Sequence, residues 1–374
     1  MAEPPVHAVI VDDDPKEGEV LTDLLKEAGG DELQVDLLPP KSHVEETAAE
    51  IFGLLSGDDP KILLLDYRLE DHPIEGGQHV PFRGGTVAGF VRDKDPDLPI
   101  ALLTSEEKLH DWVERRAGVK EFFNWTLIKR KVTKPGGAAR VSAQMIDFAR
   151  SWELARGWED KTESMWRHME ELMRAPEGEI SLFKDLEGEP PRGDVAGEVM
   201  HWLLYRALLI PGPLIGAATT RVTLGLTPES FVKPKVANWL EDAAYTGALK
   251  TLHERWWGQL VRAKLTEAAD GARPLDASAR ASVLSEELGE KLDHEGCSWC
   301  GGERTLQACS ICERATDAAH SLRPLAKALP AWADAWVVCY RCVAEGQADK
   351  VTFPQSVDDV VQALTEGRVG EPQK

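Results

Sequence analysis

Three short apolar runs each end in an oxygen-bearing side chain, and this repetition limits the folds open to the chain more than any other feature. His7-Ala-Val-Ile-Val11 runs into Asp12-Asp13-Asp14-Pro15, Ile62-Leu-Leu-Leu65 into Asp66-Tyr67-Arg68-Leu69, and Ile100-Ala-Leu-Leu103 into Thr104-Ser105. Each run is rich in β-branched residues or leucine, and helix-like stretches separate them. The pattern predicts a parallel sheet covered by helices on both faces. In such sheets the active site lies beyond the carboxyl ends of the strands. Carboxylates gathered on one edge repel one another, so the arrangement calls for a hard divalent cation such as Mg²⁺.

The elements VIVDDDP, LLLDYRL and PIALLTS, with a lysine after the last strand, resemble the receiver domain of bacterial response regulators. The resemblance implies a flavodoxin-like, doubly wound α/β domain over residues 1–135, with Asp66 as phosphoacceptor and a sensor kinase or other phosphodonor as partner. It implies Mg²⁺ held by Asp12, Asp13, Asp66 and the backbone carbonyl of Arg68. Thr104 and Lys129 would stabilise the phosphoryl oxygens, because hydroxyl and ammonium groups position and neutralise charge in the transferring group. Lys129 directly follows the apolar run 122–128, but Lys131 and Lys134 compete, the latter in a Lys-Pro pair typical of the family. In this register Thr126 stands where receivers usually carry an aromatic switch residue, so Trp125 or Phe123 would substitute. Residues 70–83 (EDHPIEGGQHVPFR) are inserted beside the acceptor where receivers have a short loop. A lid, a docking segment and a tolerated surface loop all remain open for them.

Beyond this domain the chemical signal fades. Residues 138–176 carry Val141, Met145, Phe148, Trp152, Leu154, Trp158, Met165, Trp166, Met169 and Leu172 near helical spacing, which predicts a long amphipathic helix. We divide the remainder into a helical connector (136–176), a mainly α-helical domain (177–290) and a Cys-rich domain (291–374). Residues 177–191 read as a polar linker, and 199–214 and 236–265 as helices with Trp202, Trp239, Trp256 and Trp257 in the core. Leu224-Gly225-Leu226-Thr227 is faintly like the turn of a helix-turn-helix, although Pro228 and Pro234 intrude and no basic face follows. No nucleotide loop or Ser-His-Asp arrangement stands out, and His201 and His253 read as core or surface residues.

All six cysteines fall into three CxxC pairs, Cys297/Cys300, Cys309/Cys312 and Cys339/Cys342. Disulfides avoid two-residue spacers outside redox motifs, and no thioredoxin-like pattern surrounds any pair, whereas a CxxC turn presents two thiolates to one tetrahedral zinc. Six thiolates exceed one site. His294 and His320 are natural additions, so one or two Zn²⁺ ions are expected, with the pairing open. The stretch 309–342 also resembles a treble-clef HNH nuclease finger, which implies His320 as the base that activates water. The asparagine and final histidine of that motif are not evident, and a structural zinc-binding domain is the preferred reading.

The 374 residues carry 64 Asp and Glu against 43 Lys and Arg, a formal charge of −21. Such a chain repels phosphate backbones and anionic membranes unless a local patch overrides the field. Arg304, Arg314, Arg323 and Arg341 give the Cys-rich segment some basicity, so nucleic acid stays an open but unfavoured partner. The start lacks a signal-peptide pattern, and the apolar stretch 199–218 is interrupted by Arg206 and Pro211-Gly212-Pro213. No membrane span and a cytoplasmic address are expected. The leading expectation is a phosphorylation-responsive regulator or adaptor, not itself an enzyme, whose helical and zinc-binding regions act through a protein partner or a homodimer. The alternatives are a receiver-controlled nuclease using His320 and a transcription regulator reading DNA through the helical middle.

Overall fold

The computed structural model describes residues 3–71, 73, 77–105, 123–157, 165–187, 196–272, 276–325, 333–334 and 336–367. The chain forms two compact units. The first comprises Met1–Met173, Pro190–Leu204 and Gly247–Leu252, and the second the remainder.

In the first unit, strands β1 (Val6–Val11), β2 (Leu33–Leu38), β3 (Lys61–Asp66), β4 (Ile100–Thr104) and β5 (Trp125–Ile128) form one sheet. The order is β2-β1-β3-β4-β5 and every pairing is parallel. Helices α2 (Val44–Leu54) and α3 (Gly84–Lys94) cover one face. There Val9, Val11, Leu63, Leu65, Ile100 and Leu102 pack with Ala48, Ile51, Val87 and Val91. Alternate strand residues point the other way, towards α1 (Pro15–Gly29) and α4 (Gly137–Arg156), which pack on each other. Burial on both faces is why the strands read as unbroken apolar runs, and each fully buried Leu or Ile contributes roughly 1.5–3 kcal/mol.

Helix α4 belongs to this unit, where a separate connector was expected. Its buried stripe of Val141, Met145, Phe148 and Trp152 lies within this unit, where the helix packs on α1 and on the later segment Ala196–Trp202. Trp152 Nε1 donates to the carbonyl of Asp97 at 2.6 Å, Ser142 Oγ donates to that of Leu25 at 3.1 Å, and Phe148 stacks on Trp125 at 5.6 Å. The helix expected across 138–176 is therefore two, α4 and Met165–Met173. Leu154 is 58% exposed, off the stripe, and Trp158 lies outside the described residues.

The second unit departs further from the periodicity. Within the expected polar linker a helix forms over Glu179–Glu187, because Ile180 and Phe183 share one face and are both buried. The helix read over 199–214 gives way to a strand at Leu214–Gly216, past the Pro-Gly-Pro break. This strand pairs antiparallel with Arg255–Trp257, inside the second expected helix. Consecutive Trp256 and Trp257 bury on opposite sides, against Phe231 and Tyr245, which a strand allows and a helix face does not. Gly225 ends the helix Ala217–Leu224 at φ +73°, a left-handed cap that glycine adopts freely. The helices that follow, Pro228–Phe231 and Pro234–Trp239, are too short for a recognition helix. At the C-terminus two small antiparallel strand pairs, Leu306–Ala308 with Ala315–Asp317 and Ser321–Leu322 with Val338–Cys339, lie with a core of the cysteines, Trp299, Leu322, Val338, Val343 and Leu364. No helix among the described residues is long and apolar enough to cross a membrane.

Candidate functional site

The parallel register places Asp12, Asp66 and Thr104 at the carboxyl ends of three neighbouring strands, with Lys129 directly after the fourth. Carboxylate oxygens of Asp12, Asp13 and Asp66 lie within 4.8 Å of one another. Thr104 is buried beside them in sequence register, paired with Ile128. Asp14 has a different task. It accepts from the backbone N–H groups of Lys16 and Glu17 at 3.0 and 3.2 Å, capping α1.

Lys129 is the lysine at this edge, whereas Lys131 and Lys134 are exposed. Its Nζ lies 2.5 Å from Asp66 Oδ2, 2.7 Å from Asp12 Oδ2 and 2.8 Å from Glu17 Oε2. The sequence reading missed Glu17, though the signal was there: it falls one helical turn past Asp13. Burial opposes the ammonium charge of Lys129, but the carboxylates of Asp66 and Asp12 outweigh it and raise its pKa. Burial pushes Asp66 up to about 6, with Lys129 opposing and Asp12 adding to the rise. Asp12 is raised by the same burial. Three carboxylates facing one ammonium leave an excess of negative charge in a buried, all-oxygen donor set, which fits a hard divalent cation. The Arg68 N–H donates to Asp66 Oδ1 at 3.2 Å, so the turn after β3 follows the acceptor closely.

The segment 70–83 is rooted in the fold. Leu69, Val80 and Phe82 are buried in the core of the α2/α3 face, Arg83 Nε contacts Glu70 Oε1 at 2.5 Å, and the Gly84 N–H donates to the carbonyl of Tyr67 at 3.1 Å. At Gly84 a Cβ would stand 2.0 Å from the carbonyl oxygen of Asp66. Glycine is required there by close approach. On β5, Trp125 is occupied by Phe148, while Thr126 is half-buried.

The cysteines are all free thiols and gather in two clusters. Cys309, Cys312, Cys339 and Cys342 form one; Cys297, Cys300 and His320 form the other. His294 joins neither, since its Nε2 lies 3.0 Å from Glu303 Oε1. In the first cluster Cys309–Cys342 and Cys312–Cys339 sulfurs are 3.8 and 3.7 Å apart. A tetrahedral site with Zn–S bonds of about 2.3 Å has an S···S edge of about 3.8 Å, so these spacings fit zinc. Backbone N–H groups of Cys339 and Cys342 donate to the sulfurs of Cys309 and Cys339 at 3.3 and 3.4 Å, an environment suited to thiolates. The Cys309 thiol is pushed down to about 4, chiefly by the bond from Cys339, which is itself raised. One pair sits on a hairpin turn and the other at the first turn of the helix Tyr340–Ala344. His320 Nδ1 faces the Cys297 sulfur at 3.9 Å, in the position of a ligand and not of a free base.

No protein-family model matches the sequence. No curated protein matches it either. Solved structures similar to the chain include the receiver domain of NtrX from Brucella abortus, at 13% identity over 37% of this chain and 98% of that one, with a TM-score of 0.26. A CheY-like receiver domain protein from Methanospirillum hungatei is 16% identical over 40% of this chain and 97% of its own, with a TM-score of 0.27. The response regulator TrrA from Thermotoga maritima, in complex with Mg²⁺-BeF, is 23% identical over 33% of this chain and 84% of its own, with a TM-score of 0.23. The parallel order 2-1-3-4-5 is that of the flavodoxin-like doubly wound fold. The N-terminal part of this chain is thus a flavodoxin-like doubly wound α/β domain.

Proposed function

We propose that the protein is a phosphorylation-responsive signalling regulator in which Asp66 accepts a phosphoryl group. The observation that carries this reading is the convergence of Asp12, Asp13 and Asp66 within 4.8 Å at the strand ends, with Lys129 bonded to two of them. Asp12, Asp13, Asp66 and the carbonyl of Arg68 would hold Mg²⁺, which when bound neutralises charge on the phosphoryl oxygens. A carboxylate oxygen of Asp66 forms the new bond to phosphorus as the donor's bond to phosphorus breaks. Lys129 pairs with the oxygens so delivered, and the Thr104 hydroxyl donates to them.

On this reading the phosphodonor is a sensor kinase or a small acyl phosphate, the protein works in the cytoplasm, and phosphorylation shifts a two-state receiver. The helical part and a zinc-holding Cys-rich part carry the output through protein contacts. The four-cysteine spacing supports a structural Zn²⁺ there.

Incubation with acetyl phosphate and Mg²⁺, followed by intact-mass measurement, tests the reading. The mass should rise by one phosphoryl group, and the rise should vanish in Asp66→Asn. An unlabelled wild type, under conditions where a known receiver is labelled, overturns it.

A further inference from the structure

The two cysteine clusters differ in kind. The four-cysteine cluster is closed: Cys309, Cys339 and Cys342 are at most 1% exposed and supply, with Cys312, a full tetrahedral set. The second cluster offers three donors, the sulfurs of Cys297 and Cys300 and one nitrogen of His320. Among the described residues no fourth joins them. His294 is turned to Glu303, and the Asp317 carboxylate is taken up by the Ala319 N–H at 2.8 Å and the Thr305 hydroxyl at 3.1 Å. Residues 326–332, Ala-Lys-Ala-Leu-Pro-Ala-Trp, hold no Cys, His, Asp or Glu to supply one.

We propose that Cys297, Cys300 and His320 form an open zinc site whose fourth position takes a small exogenous ligand: water, an azole nitrogen or a small anion. The proposal rests on the zinc reading of the Cys-rich part and goes beyond its structural role. Three protein ligands and one open position mark a site that works on a bound molecule, whereas four protein ligands mark a structural one.

Access, charge and orientation all agree with this. Cys300 and His320 are only partly buried, so solvent reaches the cluster from their side. Two thiolates and an imidazole leave the Zn²⁺ complex neutral, while four thiolates give it two negative charges. The neutral centre keeps more Lewis acidity for a fourth ligand. Backbone N–H groups draw further charge from both sulfurs: Gly302 donates to Cys300 at 3.3 Å and Asp317 to Cys297 at 3.2 Å. The His320 imidazole is held edge-on to the Tyr340 ring, which meets Trp299 in the same way, at centroid distances of 5.8 and 5.9 Å. These rings give the His320 ligand apolar neighbours.

Metal analysis and cobalt spectroscopy of the full chain test the proposal. Co²⁺ exchanged for the native metal should load at two per chain and give visible bands from both sites. Imidazole or azide should shift part of the spectrum saturably and leave the remainder unchanged. His320→Ala should hold one Co²⁺, keep the four-thiolate bands and lose the shift. Two cobalt ions with no response to either ligand would mean that the chain closes the second site, which overturns the proposal. One cobalt in wild type, with four-thiolate bands only, overturns it and leaves the structural zinc reading standing. No bound metal removes both.

Discussion

The ammonium of Lys129 lies 2.8 Å from the carboxylate of Glu17, one turn into α1, as well as against Asp12 and Asp66. Glu17 therefore competes for the cation that an incoming phosphoryl group needs. Its side chain is 42% exposed, so the pair contributes no more than about 1 kcal/mol. Glu17→Gln is expected to speed labelling by acetyl phosphate by up to about fivefold, and Lys129→Met to slow it severely. Time courses of intact mass report both; an unchanged rate in Glu17→Gln removes the competition.

Gly84→Ala places a methyl group against the carbonyl oxygen of the acceptor. Backbone cannot yield as a side chain does, so a loss of about 1–3 kcal/mol is expected from overpacking. Because the displaced atom belongs to Asp66, Mg²⁺ affinity should fall with stability. Urea unfolding and Mg²⁺ titration on the same sample decide whether the two move together.

Trp152 is fully buried and donates to the Asp97 carbonyl, fastening α4 to the loop before β4. Trp152→Phe should cost about 1–2 kcal/mol through the lost hydrogen bond, and Trp152→Ala about 3–5 kcal/mol through the cavity. Denaturation midpoints of the two variants separate the contributions. A wild-type midpoint in Trp152→Phe would show that the bond contributes nothing.

Burial, aided by the positive charge of Arg255, lowers His253 to about 4. The unfolded side chain titrates near 6.5, so between these values the unfolded state binds more protons. The stability from neutral His253 is complete above pH 6.5 and is lost as pH falls towards 4. The loss should reach on the order of 2 kcal/mol after allowance for partial exposure. His253→Gln should flatten this part of the profile in urea melts at pH 7 and 4.5, and a variant with the wild-type slope would assign the drop elsewhere.

The cysteines form the centre of the C-terminal core, with Leu322, Val343 and Leu364 around them. Removal of metal by a chelator should expose amides across the Cys-rich segment to hydrogen exchange and leave the five-stranded sheet protected. Unchanged protection in the Cys-rich segment after verified metal loss would show that its core stands without the ion.

The first unit was legible because its strands are buried on both faces and its acids sit at their ends. Asp12, Asp13, Asp66, Thr104 and Lys129 all lie where strand register puts them. Strand β2 was less visible, since it lies at the sheet edge and exposes Gln34. The second unit defeated periodicity for a physical reason. Strands of three residues, such as Arg255–Trp257, span barely one strand repeat and less than one helical turn, and their place is set by tertiary contacts. The metal donors were readable as types but not as sets. Spacing alone could not send Cys309 and Cys312 to Cys339 and Cys342, nor His320 rather than His294 to Cys297 and Cys300.

The inserted segment beside the acceptor begins at the buried Leu69 and returns through Val80 and Phe82 to the backbone of Tyr67. Both of its roots are set in the core, and the second meets the backbone of Tyr67, next to the acceptor. Exposed positions such as Gln78 are therefore a natural handle. A dye carried there would sit on the segment that adjoins the acceptor and could report on its loading.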